Sequence, residues 1–447
     1  MIINRRKFIK DITRITGGTI VGGYLLDSIF FSAENTYASI KSNIFVAKNG
    51  TPAENVTKVI DMRFGGIENF IGHDDVVVIN PNGQYVNQGA TNCALVMGLI
   101  DLILNRPGGF DGEIIFTENT QFNEGHGYWY ASASGMMRNG PYNFNDMITY
   151  YQNNGHSNVN AVKLRRNQDD STQWPIINSP QQGQGWVRPE WTSPTYGCLF
   201  YLPYPIFRSP YSHRLIDLKN GVYDNGYANQ PTMKFIKMPT LNNHGTGGSQ
   251  DYAGVTSSTK SFLGITEIEN SPHGYFNDNL HTNLHAYDGW RCSRDEATLA
   301  NLTGEAIGAW INTCRKPDLF ITSAEWIGYG SRYGTDAVQA KTVGLGEDPV
   351  SLDYYMSKYH LWPLLPDQQY FNPDYDINNN NTRQTLNGCH SQGLGTLNEA
   401  EMSAFVYDFN APNTFRFDID RTIKKFKEGK ASQREVLDLI DKYNSGQ

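Results

Sequence analysis

The segment from Asp75 to Phe116 constrains what this chain can fold into more than any other. Residues 75–79 read Asp-Val-Val-Val-Ile and stop at Asn80-Pro81-Asn82-Gly83, the pattern of a strand buried on both faces that ends in a loop. Asn92 to Leu104 is then an apolar helical stretch closed by Pro107-Gly108, and Glu113 to Phe116 is another short apolar strand. A strand, loop, helix and strand of this character form a right-handed βαβ unit within a parallel sheet. Ligands of such sheets sit beyond the carboxyl ends of the strands, so the loops at Asn80 and at Glu118-Asn119 share the edge where a site is expected.

The same reasoning places further elements. Ile44 to Ala47, Asn160 to Leu164, Met233 to Met238 and Asp318 to Ser323 read as strands, and Glu54 to Met62, Asn145 to Gln152 and Ala297 to Asn312 as helices. Asp348 before Pro349 suits the N-cap of a helix reaching His360, and Asp353, about 140° further round that helix, points elsewhere. The expected fold class is α/β, a mostly parallel central sheet flanked by helices, with long irregular insertions around residues 120–230 and a small C-terminal helical hairpin. Residues 44–365 form the α/β domain in this reading. Residues 366–447 form an irregular extension, ending in two short amphipathic helices between Ile419 and Tyr443.

Residues 1–38 read as a twin-arginine signal peptide. Arg5-Arg6 is followed by Phe8 and Lys10, and the weakly apolar stretch from Ile15 to Phe31 is broken by Gly17, Gly18, Gly22, Gly23 and Asp27. That stretch falls short of the roughly 20 apolar residues a membrane helix needs. The expected location is periplasmic or extracellular, with the twin-arginine export machinery as a partner and membrane contact only through a retained signal. A formal net charge of −8 argues against nucleic acid as a partner. The cysteines, Cys93, Cys198, Cys292, Cys314 and Cys389, include no pair at C-x-x-C spacing, so there is no iron–sulfur or c-type haem motif. An oxidising compartment allows one disulfide, for which Cys292 with Cys314 is a candidate.

Three separated segments resemble the domain of unknown function family numbered 362. Gly65-Gly66 followed by Asp75 to Asn82 is similar to the family's glycine pair and strand end, with Asn80 in place of a lysine and Pro81 and Asn82 retained. Pro239 to His244 and Gly254 to Gly264 resemble its histidine loop and its glycine-valine-threonine segment. His244, Thr256, Lys260 and Gly264 fit, while Thr240 and Asn242 replace two lysines and Ser261 an asparagine. Gly344 to Asp353 is similar to the family's helix start. The resemblance spans about residues 44–365 and implies little about activity, because the family is named for lacking one. Some members carry ferredoxin-type cysteine clusters, and this chain does not. The three missing lysines take cations away from the site the resemblance implies.

The candidate catalytic residues are His244 and Lys260, a histidine on the loop after a strand and a lysine on a Gly-bounded apolar segment, able to hold an anion or, desolvated, to act as base or nucleophile. Asn80 and Asn82 at a strand end, with Thr256, are the candidate cofactor-binding residues, and Asn80, Asn82, His244 and Lys260 are expected to converge. His281 and His285 are spaced to share a helix face as metal ligands, although Thr282 stands where a zinc-protease motif needs glutamate. Gly388-Cys389-His390 and Glu124-Gly125-His126 read as loop histidines. No Gly-x-Ser-x-Gly elbow follows a strand, and there is no Walker or dinucleotide fingerprint. The expected function is that of an exported protein with a small-molecule, metal or cofactor site at the strand ends, possessing redox or cofactor-dependent chemistry. The alternative is a non-catalytic surface protein that engages glycan or protein through Tyr/Trp-rich loops.

Overall fold

Eight strands build the central sheet in a computed structural model that describes residues 42–83, 87–119, 129, 142–164, 174–244, 254–267, 296–330 and 336–411. They are β1 (Ser42–Lys48), β2 (Val76–Pro81), β3 (Glu113–Glu118), β4 (Val159–Lys163), β5 (Met233–Met238), β6 (Leu319–Gly328), β7 (Ala337–Gly346) and β8 (Met402–Asp408), in spatial order β8-β1-β7-β6-β5-β2-β3-β4. Neighbours run parallel, except that β7 is antiparallel to both β1 and β6. The expected α/β sheet is therefore present, and the strands at Val76–Ile79, Ile114–Phe116, Phe235–Met238 and Leu319–Thr322 all lie in it. Residues 1–41 and 412–447, which contain the expected signal and C-terminal hairpin, lie outside the described residues.

The helices form where the caps predict them. Helix α1 (Pro52–Phe64) opens with a reciprocal capping box between Thr51 and Glu54 and closes on Gly65, whose φ of 74° suits a residue without a Cβ. Asn92 caps α2 (Cys93–Leu104) by accepting the amide of Leu95 at 3.0 Å, and Asn143 caps α3 (Phe144–Asn153) through the amide of Asp146 at 2.7 Å. Helix α1 packs on β1, β7 and α2, and α2 touches α3. A second apolar core joins Val76, Val78, Ile115, Phe235 and Phe320 of the sheet to Leu302, Ile307 and Trp310 of α4 (Glu296–Thr313), Val350 and Leu352 of α5 (Pro349–Met356), and Leu386 and Cys389 of α6 (Asn381–Ser391). Helices α4 and α6 cross at two glycines. A Cβ on Gly304 would stand 1.9 Å from the Thr385 carbonyl, and one on Gly388 would stand 2.0 Å from that of Asn301.

Three features depart from the sequence reading. The region expected to be irregular holds a four-stranded antiparallel sheet (Gly185–Val187, Tyr204–Arg208, Leu215–Asp217, Gly221–Tyr223) and a hairpin of Glu190–Thr192 with Leu199–Tyr201. Most of these strands are three residues long, too short for alternation to register. The α/β unit does not end near residue 365, because α6 and β8 complete it; Gly388-Cys389-His390 is helical rather than loop. Cys314 is a buried free thiol donating to the Leu202 carbonyl at 3.3 Å, which rules out its pairing with Cys292. Cys198 is disulfide-bonded, and Cys292 lies outside the described residues.

Candidate functional site

The order of the strands selects one place on the sheet. From β2 the chain steps outward to β3 and β4, then returns to lay β5 on the other side of β2, so the connections part above the β2–β5 pair. At such a switch point the loops diverge and leave a crevice beyond the carboxyl ends. Asn80 and Lys237 are partners in the β2–β5 ladder at that end.

Lys237 is wholly buried, and its ammonium nitrogen donates to Asn80 Oδ1 and to the Ser261 carbonyl, the latter at 2.6 Å. It lies 5.1 Å from the centre of the Phe262 ring. Burial pushes its pKa well below the usual 10.5, with the Glu118 carboxylate opposing that shift. Asn80 completes the bridge by donating to the Thr117 carbonyl at 2.6 Å and to the Gly264 carbonyl at 3.4 Å. Glu118, at the end of β3, is itself buried and accepts the Trp129 indole N–H at 3.3 Å. Two backbones close on it, because a Cβ on Gly83 would lie 3.2 Å from Oε2 and one on Gly264 would lie 3.3 Å from Oε1. A buried lysine whose pKa is lowered and a buried carboxylate thus share the interior below the switch point.

The segment from Gly254 to Glu267 roofs this cluster. Asp353 of α5 holds it from behind, accepting the amides of Ser258 and Thr259 at 2.8 Å each and the Thr259 hydroxyl at 2.8 Å. Burial raises the pKa of Asp353 above 3.8, although these hydrogen bonds pull the other way. Asn119 fastens the far end, donating from its amide side chain to the Leu263 carbonyl at 2.5 Å and the Thr266 carbonyl at 2.8 Å.

The residues singled out from sequence fall in this layer with unequal roles. Asn80 is spent on the bridge just described. Asn82 accepts the Thr240 amide at 3.2 Å, tying the ends of β2 and β5 together. His244 and Thr256 belong to one hairpin, in which Asn242 pairs with Thr256 and the His244 amide donates to the Gly254 carbonyl at 3.0 Å. Both are buried, and among the described residues the Thr256 hydroxyl has no hydrogen-bond partner. Lys260, also buried, opens the 3-10 turn Lys260–Gly264 whose carbonyls receive Lys237, Asn119 and Asn80. The structure therefore joins the Lys260 turn to Asn80 directly, and the His244 hairpin to Asn82 through Thr240. His281, His285 and His126 lie outside the described residues, and among the described residues no group of three or more His, Cys, Asp or Glu is placed to hold a metal.

Sequence reading missed Lys237. The signal was available: Met-Lys-Phe-Ile-Lys-Met is a short apolar strand, and a lysine inside a doubly covered parallel strand has no route to water. Glu118 ends an apolar strand in the same manner. No family model matches the chain, no curated protein matches it, and no solved structure matches it. Among the described residues no helix is long and apolar enough to cross a membrane.

Proposed function

We propose that this is an exported protein that holds a small polar molecule at the carboxyl edge of its sheet, above the β2–β5 pair, with the Lys237 amine exchanging a proton with it. One observation carries the proposal: a lysine is completely buried at the switch point of the sheet. Burying an amine costs several kcal/mol (order of magnitude), and an apolar side chain of the same length fills such a position without that cost. A group kept against that gradient, with its pKa driven down by burial, is suited to exchange a proton with a bound molecule. Glu118 supplies the opposite charge once the proton arrives. Export is supported by the Arg5-Arg6 pattern and by the disulfide at Cys198, since disulfides persist in oxidising compartments. The likeness to the family numbered 362 belongs to the same proposal, because Pro81, Asn82, His244, Thr256 and Lys260 all lie in the layer at this edge.

Native mass spectrometry and absorbance of protein purified after natural export test the proposal. The expected result is a bound mass in wild type that Lys237→Met loses while keeping its circular dichroism. Wild-type protein with the mass of the bare polypeptide, or an equal bound mass in the folded Met variant, refutes it.

A further inference from the structure

We propose that the cleft on the amino edge of the sheet, at the opposite ends of the strands from Lys237, binds a neutral saccharide stacked on Tyr211. The cleft has a volume of about 460 Å³ and opens where β2 and β3 begin. That size lies within the ~300–1,000 Å³ typical of small-molecule sites.

Tyr211 stands on the turn between the strands Tyr204–Arg208 and Leu215–Asp217, with 45% of its surface exposed. An exposed aromatic ring on a loose turn would lose much of its binding energy to ordering, but this turn is fastened. The buried carboxylate of Glu113 accepts the hydroxyl of Ser209 on one oxygen and that of Ser212 on the other, the second at 2.7 Å. Ser209 Oγ in turn accepts the amides of Tyr211 and Ser212, both at 3.1 Å. The Ser209 amide donates to the Arg214 carbonyl at 2.8 Å, and Arg208 donates to the His213 carbonyl at 2.6 Å. The backbone that carries the ring is therefore fixed before any ligand arrives, which lowers the entropy lost on binding.

The lining selects the ligand class. Asp74 and Asp111 offer acceptors, Arg214 offers donors, and Gln230 offers both. An anion would face the two carboxylates, and a cation would face the guanidinium. A neutral ring bearing several hydroxyls uses every one of these groups, since each hydroxyl both donates and accepts, while the C–H face of the ring covers the Tyr211 phenol.

Isothermal titration of the full chain with cellotriose, maltotriose, xylotriose and mannotriose tests this inference. At least one is expected to bind with an affinity insensitive to salt. Tyr211→Ala should weaken that binding by about tenfold or more, Asp111→Asn should weaken it too, and Tyr375→Ala, at another exposed tyrosine, should leave it unchanged. Melting temperatures of the three variants should match wild type. The inference is overturned if none of the four sugars saturates the protein by about 10 mM, if Tyr211→Ala binds as wild type does, or if spermidine binds instead in a salt-sensitive manner.

Discussion

Replacing Lys237 with methionine should remove a pH dependence of stability. Because burial holds the folded pKa well below 10.5, there is a window beneath 10.5 in which the unfolded chain carries a proton that the folded protein lacks. Stability therefore rises with pH through that window, by up to about 1.4 kcal/mol per pH unit, and levels off above 10.5. At ~2.1 cal/mol/K per residue over roughly 370 residues the unfolding entropy is ~0.8 kcal/mol/K, so each pH unit inside the window corresponds to up to ~2 °C in melting temperature. The level of the Met variant is set by opposing contributions. Asn80 Oδ1 and the Ser261 carbonyl each lose a donor, at roughly 1–3 kcal/mol, while the desolvated amine is gone. The slope is the diagnostic quantity, because every other titrating group is common to both proteins and cancels in their difference. Melting temperature or urea unfolding at half-unit pH steps measures it. If wild type and Lys237→Met keep a constant difference throughout the range below pH 10.5, burial does not lower the amine's pKa and the reasoning fails.

Asp353 carries the opposite sign. Its raised pKa adds stability below 3.8 that is lost as pH rises through the folded value, so Asp353→Asn should lose more stability on acidification than wild type does. By leaving one of the Ser258 and Thr259 amides facing an NH₂ group, it should also cost about 1–3 kcal/mol at pH 7 in urea unfolding. Gly395→Ala should destabilise by about 2 kcal/mol or more, because Gly395 has a φ of 58° and a new Cβ would meet Asp348 Oδ1 at 1.9 Å, the oxygen that caps α5; a neutral result in the same assay contradicts the cap geometry. Cys93, Cys314 and Cys389 are buried thiols whose pKa values burial pushes upward, so they should react with a chromogenic disulfide only after denaturation, and rapid labelling of native protein would contradict that burial. Changing Arg5 and Arg6 to Lys should leave folded protein inside the cell, as fractionation and immunoblotting would show; normal amounts outside the cytoplasm refute the signal.

What could be read in advance followed from burial and capping. β2 and β3 are covered on both faces, so their Val/Ile runs announce themselves, and Asn92 and Asp348 cap the helices they precede. What could not be read was fixed by distant neighbours. β7 is partly exposed in its first half and buried in its second, so no single period describes it. Helix α6 has the sequence Asn-Thr-Arg-Gln-Thr-Leu-Asn-Gly-Cys-His-Ser, a poor helix former by itself, and it forms against α4 where Gly304 and Gly388 let the backbones meet. In the candidate site, residue types at strand ends pointed to the carboxyl edge of the sheet, but a strand pattern does not reveal which polar side chains turn inward. Asn80 therefore looked like a ligand-binding residue and proves to be the acceptor for Lys237.

The pairing of β1 with β8 also bears on how the chain folds. Residues 42–48 align in parallel with residues 402–408, from Ser42 beside Met402 to Lys48 beside Asp408. During synthesis the first strand thus waits, with one row of backbone groups unpaired, until some 360 later residues have left the ribosome. Such a separation gives a high contact order and slow closure of the sheet. A chain interrupted before residue 402 keeps that edge open and is prone to pair with another copy, so completion of this β1–β8 ladder marks when the protein becomes safe to release.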